Sequence, residues 1–126
     1  MFMRFVITQI DEDSRQPQGV FTAAYALLGS GELASEEWKQ LREVMVWFNK
    51  NLPTPHDSFD RKRAIFWFKS SAEECIKQMW EMVHLLRLHG YHVEVQKCRE
   101  LGTVAWEDNF QVAAYPSVQD GKVMVS

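Results

Sequence analysis

The apolar positions of this chain fall into segments of two different periods. Residues 3–10, Met-Arg-Phe-Val-Ile-Thr-Gln-Ile, are rich in strand formers and predict a first strand. Residues 11–19 have no periodicity and read as a loop. Residues 20–28 predict a short buried helix, with Gly29 placed as its C′ residue. Ser35 is the expected cap of a second helix, and Glu36 and Glu37 follow in its first turn, where acids complement the positive helix end. Trp38, Leu41, Met45 and Phe48 make one apolar face along it. That helix ends near Asn51, because Pro53 and Pro55 forbid its continuation.

A polar connector follows, closing in Asp60-Arg61-Lys62-Arg63. The next five residues, Ala64-Ile65-Phe66-Trp67-Phe68, leave no solvent face and predict a central strand covered on both sides. Ser70 with Glu73, or Ser71 with Glu74, gives a capping-box start to the longest helix. Its core stripe is Ala72, Cys75, Ile76, Met79, Val83 and Leu86; Glu73, Lys77 and Glu81 form an i,i+4 charge ladder outside, and Gly90 ends it. Residues 91–97 alternate strictly, with His92, Glu94 and Gln96 on one polar face. Two further strands, 103–107 and 110–115, are joined by Asp108-Asn109 as a tight hairpin, with Trp106 facing Gln111 and Ala105 facing Val112. Asp120-Gly121 offers a turn into a last strand at 122–125.

This order predicts one α+β domain over residues 1–126. Its sheet is mixed and mostly antiparallel, with about five strands. About three helices pack mainly on one face, and residues 64–97 form a βαβ crossover. A length of 126 residues supports such a core without disulfides or metal. The net charge of −3 argues against a dedicated nucleic-acid binder, which carries a basic excess to neutralise phosphates. Cys75 and Cys98 form no CxxC pair and read as reduced thiols. No apolar run is long enough to span a bilayer, and residues 1–7 lack the features of a signal peptide, so a cytoplasmic protein is expected.

No nucleophile motif, phosphate loop or metal-ligand spacing is present, so the chain reads as a non-enzyme without cofactor or metal. Two surfaces carry the functional expectation. The crossover brings Arg61 and Arg63, before the central strand, near Arg87, His89 and His92 at the end of the long helix. A helix of about 19 residues, roughly 28 Å long, overhangs a strand of about 20 Å, and the resulting rim suits an anionic small molecule. The second surface is aromatic. Core packing accounts for Trp38 and Trp67, whereas Trp47 and Trp80 fall off the apolar stripes of their helices, as expected of tryptophans at an interface.

Three blocks also carry a resemblance. They are Gly31-Glu32-Leu33 leading to Trp47-Phe48-Asn49-Lys50-Asn51-Leu52-Pro53; Ala64-Ile65-Phe66-Trp67-Phe68-Lys69 with Glu74-Cys75-Ile76 and Met79-Trp80-Glu81; and Glu107-Asp108-Asn109-Phe110-Gln111-Val112-Ala113. Together they resemble a small family of uncharacterised bacterial proteins. The resemblance covers most of the chain and implies a bacterial cytosolic origin, but no activity and no catalytic residues. The functional expectation is a small cytosolic interaction module that self-associates as a homodimer. The alternative is a small enzyme or ligand-binding domain that takes an anionic small molecule on the Arg/His rim.

Overall fold

The computed structural model describes residues 1–10, 17–53, 64–115 and 124–125. The elements run β1 (Phe2–Ile10), β2 (Pro17–Gly19), α1 (Val20–Leu28), α2 (Ser35–Asn51), β3 (Ile65–Lys69), α3 (Glu73–Leu88), β4 (Val93–Cys98), β5 (Thr103–Glu107), β6 (Gln111–Tyr115) and β7 (Met124–Val125). The α+β class, the three helices and their packing against the sheet match the reading of the sequence. Five strands of five or more residues carry the sheet, and the short β2 and β7 extend it.

The sheet order is β5-β6-β3-β1-β4-β7, with β2 paired to β1. Every recorded pair of neighbours is antiparallel. The β3–α3–β4 crossover is present, but it joins non-neighbours. Both strands run antiparallel to β1, so they point the same way with β1 between them. The N-terminal strand therefore fills the gap that a βαβ unit normally closes.

Directly paired residues share a face of the sheet. Phe5 pairs with Val95, Ile7 with Val93 and Met3 with Phe68, and all pack in the core that the helices cover. The opposite face carries Arg4, Val6, Trp67, Val112 and Ala114. Trp67 is only 4 % exposed there, while Phe68 is buried on the helix side. The central strand is thus covered on both faces, as its unbroken apolar run requires.

Local details differ from the sequence reading for identifiable reasons. Ala34, not Ser35, is the N-cap of α2, and its N–H donates to the Glu37 carboxylate at 3.0 Å. Ser70 and Ser71 lie in a turn closed by Ala72 N–H to Lys69 O, so α3 starts at Glu73 and α2 is the longer helix. Gly29 has φ −89° and is an ordinary right-handed C-cap. The hairpin is displaced by one residue. Asp108 Oδ1 accepts the N–H groups of Phe110 (2.7 Å) and Gln111 (2.8 Å), an Asx turn that pairs Asp108 with Gln111 and leaves Asn109-Phe110 as the loop. An irregularity between Val104 and Trp106 then sets Trp106 opposite Ala113 and Glu107 opposite Val112.

Among the described residues, no helix is long and apolar enough to cross a membrane.

Candidate functional site

One face of α3 is fully engaged in the core: Cys75, Met79, Met82, Val83 and Leu86 are buried. Burial also pushes the Cys75 thiol pKa up, so this cysteine is packing rather than a nucleophile. The opposite face repeats at Glu73, Lys77, Trp80, His84 and Arg87, all exposed. With Gln40 of α2, Ile76 and Glu81, most of this face borders a shallow depression of about 540 Å³. Trp80, one of the residues that line it, is 41 % exposed. Its ring meets Phe5 of β1 edge-on at 5.2 Å, and the Arg87 guanidinium lies 5.7 Å from its centroid. Phe5 and Arg87 thus fix the indole in place while much of it stays in water. The expected charge ladder does not close: the salt bridges among the described residues are Lys69–Glu107 and Glu37–His89, and Glu73, Lys77 and Glu81 are in neither.

The end of α3 forms a second feature. Gly90 has φ +91°, Tyr91 N–H donates to Leu86 O, and Gly90 N–H donates to Arg87 O, which is a Schellman stop. Arg87 Nη2 donates to Val93 O at 2.8 Å and ties the helix end to β4. Arg87, His92 and Glu94 border a hollow of about 370 Å³ around this turn. The helix has 16 residues and is about 24 Å long, so it overhangs β4 by less than the sequence reading allowed.

The five expected rim residues are therefore divided. Arg87 and His92 meet at the hollow. His89 turns the other way, and its Nε2 lies 3.1 Å from Glu37 Oε2 on α2. Arg61 and Arg63 lie outside the described residues, as do Asp57, Asp60 and His56. Glu37 carries the electrostatic signature of its pairing: the Ala34 N–H, and then His89, hold its carboxyl below the ordinary value.

The tryptophans sort differently from the expectation. Trp67 is buried and Trp80 exposed, as expected. Trp38 is 39 % exposed, in the first turn of α2; its Nε1 donates to Leu28 O and Arg42 covers its ring at 5.5 Å. Trp47 is half-buried against the core and meets Phe48 edge-on at 5.1 Å. Position on the helical stripe misplaced both, because a large indole reaches the core from the margin of a stripe, and the first turn of a helix can outrun the layer beneath it.

Gln111 lies on a different face of the sheet from Glu94 and Gln96. It pairs with Phe68 on the helix side of the sheet, is 5 % exposed, and donates to Pro53 O at 2.9 Å. Glu94 and Gln96 pair with Val6 and Arg4 on the other face, and β3 and β1 lie between β6 and β4. Arg4 itself was not expected at a site. Its guanidinium lies 5.5 Å from the Trp67 centroid, and burial pushes its pKa down to about 10, which leaves it protonated at neutral pH. Cys98 Sγ donates to Glu100 O at 2.7 Å. Among the described residues, no three His, Cys, Asp or Glu side chains converge on a metal-sized site.

The blocks that carry the family resemblance fall on the approach to and end of α2, on β3 with α3, and on the β5–β6 hairpin. No protein-family model matches the chain, and comparison with curated proteins and with solved structures gives no match.

Proposed function

We propose that the chain is a small cytosolic interaction module, not an enzyme, and that it self-associates through the outer face of α3. The observation that carries this reading is Trp80. A tryptophan 41 % exposed at the centre of a helix face is costly to leave in water, and tryptophan and arginine are enriched at protein interfaces. Phe5 and Arg87 hold the ring in one orientation, so docking costs little side-chain entropy. Trp47 has less claim to the interface, because it already packs on the core.

An anionic ligand at the α3–β4 turn has weaker support. Glu94 brings a negative charge to the same hollow, and Arg61 and Arg63 lie outside the described residues.

Sedimentation over a range of protein concentrations tests the proposal. The wild-type chain is expected to form dimers as concentration rises, and Trp80→Ala to shift the equilibrium toward monomer. A wild-type chain that stays monomeric throughout rules out the self-association.

A further inference from the structure

The charges on α3 have an order that a self-associating surface would use. Glu73, Trp80 and Arg87 are spaced by seven residues and so share one line along the helix. Ile76, Lys77 and His84 flank that line, with Glu81 beside them. The N-terminal part is negative at Glu73, and the C-terminal part is positive at Arg87. Both charges lie seven residues from Trp80, about 10 Å along the axis at 1.5 Å per residue.

Resting on the self-association proposed above, we infer that the partner is a second copy of this chain, docked α3 against α3 with the helices antiparallel and a two-fold axis passing Trp80. In that arrangement Glu73 meets Arg87 of the partner subunit, twice by symmetry. Trp80 lies against the partner's Trp80, and Ile76 and His84 lie on opposite sides of that seam. Lys77 comes within about 3 Å, measured along the axis, of the partner's Glu81. The α3 acids and Lys77 are in no salt bridge among the described residues, so the contact breaks no such pair to form. Arg87 keeps its bond to Val93 O and has further guanidinium N–H groups to donate.

A two-fold axis parallel to the helices would instead set each residue of that line against its own copy. Glu73 would face Glu73 and Arg87 would face Arg87. Like charges in register select against that arrangement, and the helix dipoles also favour the antiparallel one. One helix face about 24 Å long buries less than the roughly 800 Å² per partner of a standard interface, so the dimer is a small-interface, reversible one.

The test is sedimentation equilibrium from about 1 µM to about 1 mM, a range that covers weak, reversible dimers. The variants are Glu73→Arg, Arg87→Glu and the two combined. Each single reversal is expected to weaken the dimer about tenfold by placing like charges together, and the combination to return it to within about threefold of wild type. Because Arg87→Glu also removes the bond to Val93 O, Lys77→Glu and Glu81→Lys, singly and combined, repeat the test without touching Arg87. Single reversals in both pairs that leave a wild-type dimer intact would overturn the antiparallel α3 pairing and leave self-association standing. Single losses without recovery in either combination would overturn the assigned charge contacts. A wild-type chain that is monomeric at every concentration would overturn both the arrangement and the self-association on which it rests.

Discussion

His89 at the end of α3 lies 3.1 Å from the carboxylate of Glu37 in the first turn of α2, a contact between residues 52 apart in the chain. The same carboxylate accepts the Ala34 N–H that opens α2. One side chain thus caps one helix and holds the end of another.

This pairing has a pH dependence of defined sign. The Ala34 N–H, and then His89, hold the Glu37 carboxyl below its ordinary value of 4.5. A carboxyl depressed in the folded state binds fewer protons there than in the unfolded chain. Its contribution to stability is therefore complete above pH 4.5 and is lost as the pH falls through the folded-state value. Glu37→Gln is expected to melt below wild type at pH 6, with the gap closing in acid. Melting curves of both proteins across this range check it; a gap that stays constant down to pH 3 would remove Glu37 ionisation as the cause.

Among the described residues, Gln111 is the buried polar residue of the sheet, and its amide donates to Pro53 O just beyond the end of α2. Gln111→Leu keeps most of the volume but removes that hydrogen bond. Pro53 is exposed, so its carbonyl can turn to water, and the expected loss is about 0.5–1.5 kcal/mol, the net worth of one hydrogen bond. Urea denaturation measures it. Wild-type stability in this variant would mean that the Gln111 amide contributes nothing net to the fold.

Trp47 and Trp80 should separate stability from association. Trp47 packs on the core beside Phe48, so Trp47→Ala should cost about 2 kcal/mol of folding stability, part of the 3–5 kcal/mol of a fully buried aromatic. Trp80 loses chiefly its edge contact with Phe5 on truncation, so Trp80→Ala should cost about 1 kcal/mol while shifting the dimer equilibrium. Denaturation and sedimentation on the same samples distinguish the two. The reverse pattern would place the interface on α2.

Elements with a strong period were legible in the sequence: the apolar run of β3, the alternation of β4, the stripes of α2 and α3. What escaped was decided by contacts distant in the chain or by single side chains. β2 is three residues, Pro-Gln-Gly, with no strand propensity, and it exists because β1 offers an edge to pair with. The insertion of β1 between β3 and β4 leaves no local trace, since each strand's pattern is the same whichever neighbour it has. Asp108 shifts the hairpin by one residue through two hydrogen bonds that periodicity does not register. At the candidate site, Arg87 and His92 converge because five residues across a Schellman turn fix them. His89 departs because its partner lies on a different helix.

Two glycines that follow helices make the last comparison. Gly90 has φ +91°, in the left-handed region, and a Cβ added there meets nothing within 4 Å. The cost of Gly90→Ala is thus conformational alone, about 1–2 kcal/mol. Gly29 has φ −89°, and a Cβ there makes ordinary contacts of 3.8 and 3.9 Å with the carbonyls of Tyr25 and Ala26. Gly29→Ala should therefore be neutral or stabilise by up to about 1 kcal/mol, through reduced freedom of the unfolded chain. Urea denaturation of the two variants side by side tests the assignment. Equal stability in both would mean that α3 ends without the left-handed residue, and with it would go the turn that sets Arg87 beside Val93.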